Sequence, residues 1–451
     1  MQPDTRAPDA RFGLGTGEVR RRHILPKALL VGLTAGLLGS AFRVALQFAE
    51  HQRVAWQLGL SRPVALIVAL ALGAIGAGVS VWLVRRFSPE AAGSGIPHLK
   101  SVVLGERQMT WRRLLPVKFF AGVIGIGGGL ALGREGPTIQ MGGATGLMVC
   151  EWFRVKPGEG ERRALIAAGA GAGLAAAFNA PLAGLIFVLE ELQGSFTPVI
   201  FVSAFLASVV ADVVGRVVTG EMPVFQLHDM PAPTLHTLPV ALVLGLLCGL
   251  GGVLFNRSLL KSLDLFEKLK TWPAFGVGAL AGLGVGIASW FYPGVAGGGG
   301  LHVERALLGE VATNGLLLLL ALRFFLTMIS YGCGAAGGIF APLLVLGALG
   351  GLAVGRAAHM AAPAWAEHPE VFAVLGMGAL LTAIVRAPLT GIVLMVELTG
   401  KYDFMLPLLA SCLAAYGVAE ALRDVPVYEA LRERAEAKET ARLKMRAAAD
   451  A

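Results

Sequence analysis

The sequence predicts a polytopic membrane protein built from an internal repeat of broken helices. Of its 451 residues, 55% are hydrophobic and only 15% are charged, whereas a soluble domain carries about a quarter of its residues as charges. Apolar runs that, with their flanks, can cross a hydrocarbon core of about 30 Å recur along the chain. Examples are Lys27–Phe48, Pro63–Val84, Val240–Leu254 and Leu316–Ser330.

Two parts of the chain resemble each other. GAGAGLAAAFNAPLAGLIFVLEEL (169–192) aligns with GMGALLTAIVRAPLTGIVLMVELT (376–399), which matches Pro181 with Pro388 and Glu190 with Glu397. GREGP (133–137) aligns with GIFAP (338–342) at nearly the same offset. Membrane transporters are often built from such repeats, with the substrate held by broken helices at the repeat interface.

Basic residues flank the membrane region at both ends of the chain. Arg20–Arg22 and Lys27 precede the first span, and several arginines and lysines follow the last one. Because basic flanks mark the cytoplasmic side, both termini are expected inside, and the net charge of +8 is attributed to topology and lipid contact, not to nucleic acid. The predicted division is a polar cytoplasmic segment 1–26, membrane repeats 27–218 and 219–422, and a cytoplasmic C-terminal helix and tail 423–451.

Glycines at GxxxG spacing lie within several apolar runs. The pairs are Gly32/Gly36, Gly142/Gly146, Gly245/Gly249 and Gly347/Gly351. Small residues at this spacing let the backbones of membrane helices approach closely. The pattern therefore predicts tight helix packing, which accounts for most of the 61 glycines.

Three segments share the pattern G-x-x-x-P: GSGIP (93–97), GREGP (133–137) and GIFAP (338–342). Each precedes a run typical of a helix, and proline is favoured at the first helical position. The free N–H groups of a helix start carry about half a unit of positive charge and bind anions without a lysine. The pattern predicts a weak, reversible anion site. The alternative is an ordinary loop-to-helix joint, although irregular backbone at membrane depth is tolerated mainly where it lines a cavity or is buried.

Glu135 lies inside GREGP, at one of these helix starts. Its carboxylate can occupy the anion site as a tethered anion, and protonation would neutralise it and release the site. One residue would then serve as both gate and proton carrier. The alternative is a surface glutamate paired with Arg134.

Glu190 and Glu191 lie near the end of an apolar helix predicted at Leu182–Leu192. Ionisable residues in such helices mark proton or ion paths, and neighbouring positions point about 100° apart, so at most one should face the path. Glu190 has a counterpart in Glu397, which indicates a structural role. Glu191, matched by Leu398, is the more specialised residue.

The roles of three further residues are not decided by the sequence pattern. Ser94 can donate its hydroxyl to an anion or cap a helix. Phe340 can offer its positive ring edge to an anion or be a core aromatic. Tyr428 begins the predicted tail helix Val427–Arg446 and is an interfacial tyrosine on sequence physics alone.

GSGIP, GREGP and GGIFAP stand in the order found in the CLC family of chloride channels and chloride/proton antiporters. KFFAGVIGIGGGLALGREGPTIQMGG and AAFNAPLAGLIFVLEEL extend the resemblance, which covers about residues 28 to 440. It implies an all-α fold with inverted halves of broken, tilted helices. It also implies a homodimer in which each subunit carries its own pore.

The same resemblance implies roles for individual residues. The central chloride would be bound by the side-chain hydroxyls of Ser94 and Tyr428. The backbone amides of Ile339 and Phe340 would bind it as well. Glu135 resembles the external gating glutamate, which accepts protons. Glu191 resembles the internal proton-transfer glutamate, which antiporters have and channels lack.

The sequence also departs from the family pattern. His98 and Lys100 follow GSGIP at positions that are often acidic in bacterial relatives, and GCGAAGG replaces the more usual GSGAPGG. The serine of GSGIP favours chloride over nitrate and, together with GREGP, argues against fluoride. The short tail favours a protein of the bacterial inner membrane.

The predicted function is proton-coupled chloride antiport, with chloride and protons as substrates, the lipid bilayer as environment, and no cofactor or metal. A passive chloride channel of the same fold is the first alternative, and Glu191 discriminates against it. An intramembrane enzyme is the second, and it would need a nucleophile–base pair or clustered ligands. The histidines are instead dispersed: His23, His51, His98, His228, His236, His302, His359 and His368.

Overall fold

The structure, a computed structural model, describes residues 17–450 except 195, 222, 223, 226, 228, 229 and 293, and it describes side chains between residues 23 and 441. The first sixteen residues of the predicted polar segment 1–26, the last residue of the predicted tail 423–451, and His228 therefore lie outside the described residues.

The described part of the chain contains seventeen α-helices and no β-strand, only two isolated bridges. The helices are α1 (Gly17–Gly59), α2 (Arg62–Phe87), α3 (Ile96–Leu104), α4 (Trp111–Gly127), α5 (Glu135–Trp152), α6 (Gly160–Phe178), α7 (Pro181–Phe187), α8 (Pro198–Thr219), α9 (Leu238–Glu267), α10 (Ala274–Phe291), α11 (Gly300–Leu307), α12 (Thr313–Gly332), α13 (Phe340–Ala361), α14 (Val371–Val385), α15 (Pro388–Thr399), α16 (Met405–Ala421) and α17 (Val427–Asp450). Eight helical segments among the described residues are long and apolar enough to span a bilayer. The predicted all-α, polytopic class is confirmed.

The helices form two corresponding sets, α1–α8 and α9–α16. The helices that begin in the matched motifs are equivalent: α5 begins at Glu135 and α13 at Phe340, while α7 begins at Pro181 and α15 at Pro388. The sequence repeat therefore reflects a structural repeat. The first helix begins at Gly17, inside the segment assigned as a polar head.

Glycines set the closest helix contacts in both halves. A Cβ atom on Gly142 of α5 would collide with the backbone carbonyl of Gly169 on α6, and the reverse substitution would meet the carbonyl of Gly142. The equivalent helices α13 and α14 meet in the same way at Gly347 and Gly376. Helices at this distance have no room for a side chain, which confirms the packing role predicted from the GxxxG spacing.

Replacing Gly282 with alanine is expected to destabilise the fold by about 1–3 kcal/mol, the usual cost of overpacking. On α10, a Cβ at Gly282 would collide with the backbone carbonyl of Gly73 on α2, and backbone cannot move aside cheaply. Gly284 lies on the same helix, and a Cβ there meets nothing within 4 Å. Thermal unfolding in detergent should therefore show a melting temperature below that of the wild type for Gly282→Ala and no decrease for Gly284→Ala. Equal melting temperatures for the two variants would contradict this account of the packing.

The prolines of the three motifs stand later in their helices than predicted. Pro97 is the second residue of α3, while Pro137 and Pro342 are the third residues of α5 and α13. The prediction of proline at the first position is wrong because the first four N–H groups of a helix all lack an intrahelical acceptor, so proline fits anywhere in that turn. As a result, Glu135 and Phe340 are themselves the first helical residues.

The helix predicted at Leu182–Leu192 has two parts. The α-helix α7 ends at Phe187, and the chain continues as a π-helical turn over Val188–Gln193. Such turns are rare and often occur at functional sites. The turn contains both Glu190 and Glu191.

The tail helix α17 is longer than the predicted Val427–Arg446, since it ends at Asp450. It packs against α3 of the membrane region. Arg107, in the loop after α3, donates a hydrogen bond of 3.0 Å to the backbone carbonyl of Ala435. The helix is therefore docked on the membrane domain and not freely solvated.

Candidate functional site

Backbone hydrogen bonds join the three glycine–proline segments to one another. Gly93 N–H donates to the carbonyl of Ala335 at 2.9 Å, and Gly337 N–H donates to the carbonyl of Gly93 at 3.1 Å. Gly133 and Gly338 exchange two such bonds, at 2.7 and 2.8 Å. Segments far apart in sequence thus meet at one buried point, where α3, α5 and α13 all begin.

Glu135 lies at the centre of this junction. Its side chain is 3% exposed, and one carboxylate oxygen accepts a hydrogen bond of 3.2 Å from the backbone N–H of Ala341, in the first turn of α13. The other oxygen is 3.9 Å from Arg134 Nε. The alternative of a surface glutamate is therefore wrong, although the contact with Arg134 exists. The carboxylate occupies the position that the free N–H groups of a helix start offer to an anion.

Ser94 lies against the start of α5. It is fully buried, and a Cβ added to Gly136 would lie 2.8 Å from the Cα and Cβ atoms of Ser94. Only glycine at position 136 therefore allows this close approach. The Ser94 hydroxyl accepts a long hydrogen bond of 3.4 Å from the N–H of Ile96.

Ile339 and Phe340 stand at the start of α13 and are both buried. N–H groups of the first helical turn have no intrahelical acceptor, so the two amides are suited to an anion. The Phe340 ring packs against Phe178, with ring centroids 5.8 Å apart. The side chain is thus part of an aromatic contact in the core, whichever role its backbone has.

Tyr428, the second residue of α17, is fully buried, and its hydroxyl has no hydrogen-bond partner within the described part of the chain. An unpaired buried hydroxyl costs about 1–3 kcal/mol. The hydroxyl lies within electrostatic range of Glu135, Glu191 and a second tyrosine, Tyr331. It is therefore a buried donor without a partner in the described part of the chain, and the interfacial interpretation of this tyrosine is wrong.

Two neighbours of the junction were not predicted from the sequence. Lys118 is fully buried and donates hydrogen bonds to the carbonyls of Ala91 and Gly93, at 2.9 and 2.7 Å, so it fixes the loop before α3. Tyr331 places its hydroxyl 2.9 Å from where a Cβ of Gly93 would stand. A lone aromatic at the end of an apolar helix gives no sequence signal for such a position.

Glu190 and Glu397 cap each other's helices. The Glu397 carboxylate accepts hydrogen bonds from the N–H groups of Leu182 and Ala183 at the start of α7, at 3.0 and 2.7 Å. The Glu190 carboxylate accepts the equivalent bonds from Leu389 and Thr390 at the start of α15, at 3.1 and 2.7 Å. Since each residue lies near the end of its own helix, α7 and α15 run antiparallel, as inverted halves require. The structural role predicted for Glu190 is confirmed.

Glu191 points in another direction from its neighbour. Its side chain is 8% exposed and lies 2.9 Å from the ammonium of Lys100 on α3. The junction thus brings Ser94, Glu135, Ile339 and Phe340 together, with Tyr428 beside them. Glu191 instead contacts Lys100 and belongs to a second cluster, formed by α3, the π-helical turn and α17.

An all-helical membrane protein with inverted halves and helix starts gathered at one buried point has the architecture of a membrane transporter. The chain matches the family described as Voltage gated chloride channel over residues 76–420. The H(+)/Cl(-) exchange transporter ClcA of Vibrio cholerae serotype O1 (strain M66-2) is 43% identical over 419 residues, which cover 91% of this chain and 89% of the relative. The chain belongs to the voltage gated chloride channel family.

A second relative and a solved structure agree with this assignment. The H(+)/Cl(-) exchange transporter ClcA of Citrobacter koseri (strain ATCC BAA-895 / CDC 4225-83 / SGSC4696) is 40% identical over 427 residues, which cover 93% of this chain and 90% of the relative. The crystal structure of a slow cyanobacterial Cl-/H+ antiporter superposes with a TM-score of 0.88 at 39% identity, and the match covers 92% of this chain and 99% of that one.

Proposed function

We propose that this protein exchanges chloride for protons across the membrane. The observation that carries the proposal is the position of Glu135, whose carboxylate accepts a hydrogen bond from the first turn of α13 at the junction of three helix starts. A carboxylate held there is a tethered substitute for a transported anion. The names of the relatives, H(+)/Cl(-) exchange transporter and Cl-/H+ antiporter, support a transporter and not an enzyme.

The anion would bind where uncharged donors converge. Ser94 and Tyr428 would donate their hydroxyls, and Ile339 and Phe340 their backbone N–H groups. The buried, unpartnered hydroxyl of Tyr428 supports this assignment, since a bound anion would satisfy it. Neutral donors suit transport because they bind chloride weakly enough to release it, and the protein would need no cofactor for this step.

Glu135 would control access to this site. As a carboxylate it accepts a hydrogen bond from the N–H of Ala341 and excludes the anion. As a neutral acid it loses most of its attraction for the helix start, because the dipole there favours negative charge. Uptake of a proton would therefore free the site for chloride, which makes the carboxyl both the gate and the proton carrier.

Glu191 would pass protons between the cytoplasm and Glu135. It is a buried carboxylate on the side of the site where the tail helix docks, and its location apart from the anion residues supports separate routes for the two ions. A passive chloride channel is the alternative function. Such a channel would need no second proton acceptor, and Glu191 favours exchange.

The deciding experiment measures both ions at once in liposomes that contain the purified protein. An outward chloride gradient is expected to drive protons inward against their own gradient, because in an exchanger the exit of chloride is coupled to the entry of protons. Chloride and pH electrodes record the two fluxes together. Chloride flux without uphill proton movement would refute exchange and establish the channel.

We also propose a subunit assembly, a membrane location and a division of the chain. The protein would be a homodimer with one pore per subunit, located in the bacterial inner membrane with both termini in the cytoplasm. Its chain would divide into segment 1–26, repeats 27–218 and 219–422, and tail 423–451. Crosslinking in native membranes and protease accessibility of the two termini test these points.

A further inference from the structure

Lys100 on α3 stands between two glutamates from different elements. Its ammonium is 2.9 Å from Glu191 on the π-helical turn and 3.5 Å from Glu429 on α17. The lysine and Glu191 side chains are largely buried, at 19% and 8% exposure, and Glu429 is 27% exposed. One cation therefore has two anionic partners, one buried and one close to the cytoplasmic surface.

The second partner is itself fixed by an ion cluster on the tail helix. Arg432 bonds Glu429 at 2.5 Å, Glu106 after α3 at 2.9 Å, and Glu436 one turn further along α17 at 2.9 Å. The hydrogen bonds from Arg432 lower the pKa of the Glu429 carboxyl. Glu429 therefore remains an anion, and it stays available as an alternative acceptor for the Lys100 ammonium.

Few charged groups act on Glu191 from the elements packed around it. The main ones are Lys100 from α3, Glu429 from α17 and its own neighbour Glu190, and the Tyr428 hydroxyl also lies in range. Glu190 is occupied by the start of α15. Lys100 is therefore the cation that decides how easily Glu191 takes up a proton, because an opposite charge at this distance favours the carboxylate.

We propose that Lys100 is a positioning residue for the internal proton step, and that its ammonium moves between Glu191 and Glu429. This inference rests on the proposed function, in which Glu191 transfers protons. When the ammonium is on Glu191, the carboxylate is held charged and in place. When it is on Glu429, Glu191 can accept a proton from a hydronium ion at the cytoplasmic surface, which leaves water.

The proton balance of this step is simple. One O–H bond forms on Glu191, and the proton comes from hydronium at the cytoplasmic surface. Lys100 keeps its three protons throughout and only exchanges one carboxylate for another. When Glu191 passes its proton on towards Glu135, the carboxylate reforms and attracts the ammonium back. Glu429 of the tail helix thus takes part in proton transfer without touching either transported ion.

The test is the pH dependence of proton flux in liposomes with equal pH on both sides before the chloride gradient is applied. In Lys100→Met, Glu191 loses its cation, and the pH of half-maximal proton flux should rise by about 1 unit, within the range of opposite-charge effects. Lys100→Arg should restore the wild-type profile. Glu429→Gln should move the profile to lower pH, because Lys100 then remains on Glu191. Chloride flux at low pH reports that each variant is folded.

A matched control comes from the same tail helix. Lys438 pairs with Glu267 at 2.5 Å on a different face of the docked helix, so Lys438→Met should keep the wild-type profile. An unchanged profile in Lys100→Met, or a shift in Lys438→Met of equal size, overturns the inference. Glu191→Gln separates the proton route from the role of Lys100: if it leaves proton flux intact, the proposed route through Glu191 fails. If it stops proton flux while Lys100→Met changes nothing, only the role of Lys100 fails.

Discussion

Glu135→Ala is expected to abolish proton transport while chloride flux persists. The substitution removes the carboxylate that competes with the anion at the start of α13, so the path stays open and no group carries the proton. Uphill proton movement under a chloride gradient should fall at least about tenfold, the effect of losing a positioned acid–base group. The measurement is simultaneous chloride and proton flux in liposomes.

Glu135→Gln provides the matched comparison, since it keeps the size of the side chain and mimics its neutral state. It should behave as Glu135→Ala does for protons and should also conduct chloride. Proton pumping that survives in both variants would show that Glu135 is not the proton acceptor. A loss of chloride flux in both would show instead that the carboxylate supports the anion path.

Glu191→Gln is expected to stop proton flux, again by about tenfold or more, while chloride flux remains measurable. The amide keeps a polar contact with Lys100 but cannot take up a proton. The decisive readout is the ratio of proton flux to chloride flux, which should fall towards zero. A ratio equal to that of the wild type would remove Glu191 from the proton route.

The adjacent residue, Glu190, supplies a matched control for Glu191→Gln. Glu190 differs from Glu191 by one position, yet it caps α15 through Leu389 and Thr390. Glu190→Gln should therefore lower the melting temperature, since loss of a cap costs about 1 kcal/mol, and leave the flux ratio unchanged. If Glu190→Gln uncoupled the ions as strongly as Glu191→Gln, the effect would come from the shared turn and not from one carboxylate.

The membrane class and the positions of the helix starts could be predicted because short stretches of sequence determine them. Apolar runs report the spans, and the glycine–proline motifs report helix starts at membrane depth. The structural role of Glu190 could also be predicted, because the repeat supplies Glu397 as its counterpart, whereas Leu398 is the counterpart of Glu191. The reciprocal caps on α7 and α15 are the physical basis of that match.

Other features depend on contacts between distant segments and leave no local signal. Lys100 and Glu191 are separated by 91 positions, and only the docking of α3 beside the π-helical turn brings them together. The turn itself could not be predicted, since an apolar run with helical periodicity does not distinguish α from π geometry. Tyr331 reaches Gly93 for a similar reason, because α12 and the loop before α3 meet only in the folded chain.

The four backbone bonds that join Gly93, Gly133, Ala335, Gly337 and Gly338 limit the motions available during turnover. Leaving a buried backbone group unpaired costs about 1–3 kcal/mol. Separating the two halves at this point would break all four bonds, so each transport cycle would have to overcome that cost several times over. A stationary frame with small side-chain displacements avoids that barrier. These bonds therefore favour a fixed contact between the inverted halves over a rocking motion at this point.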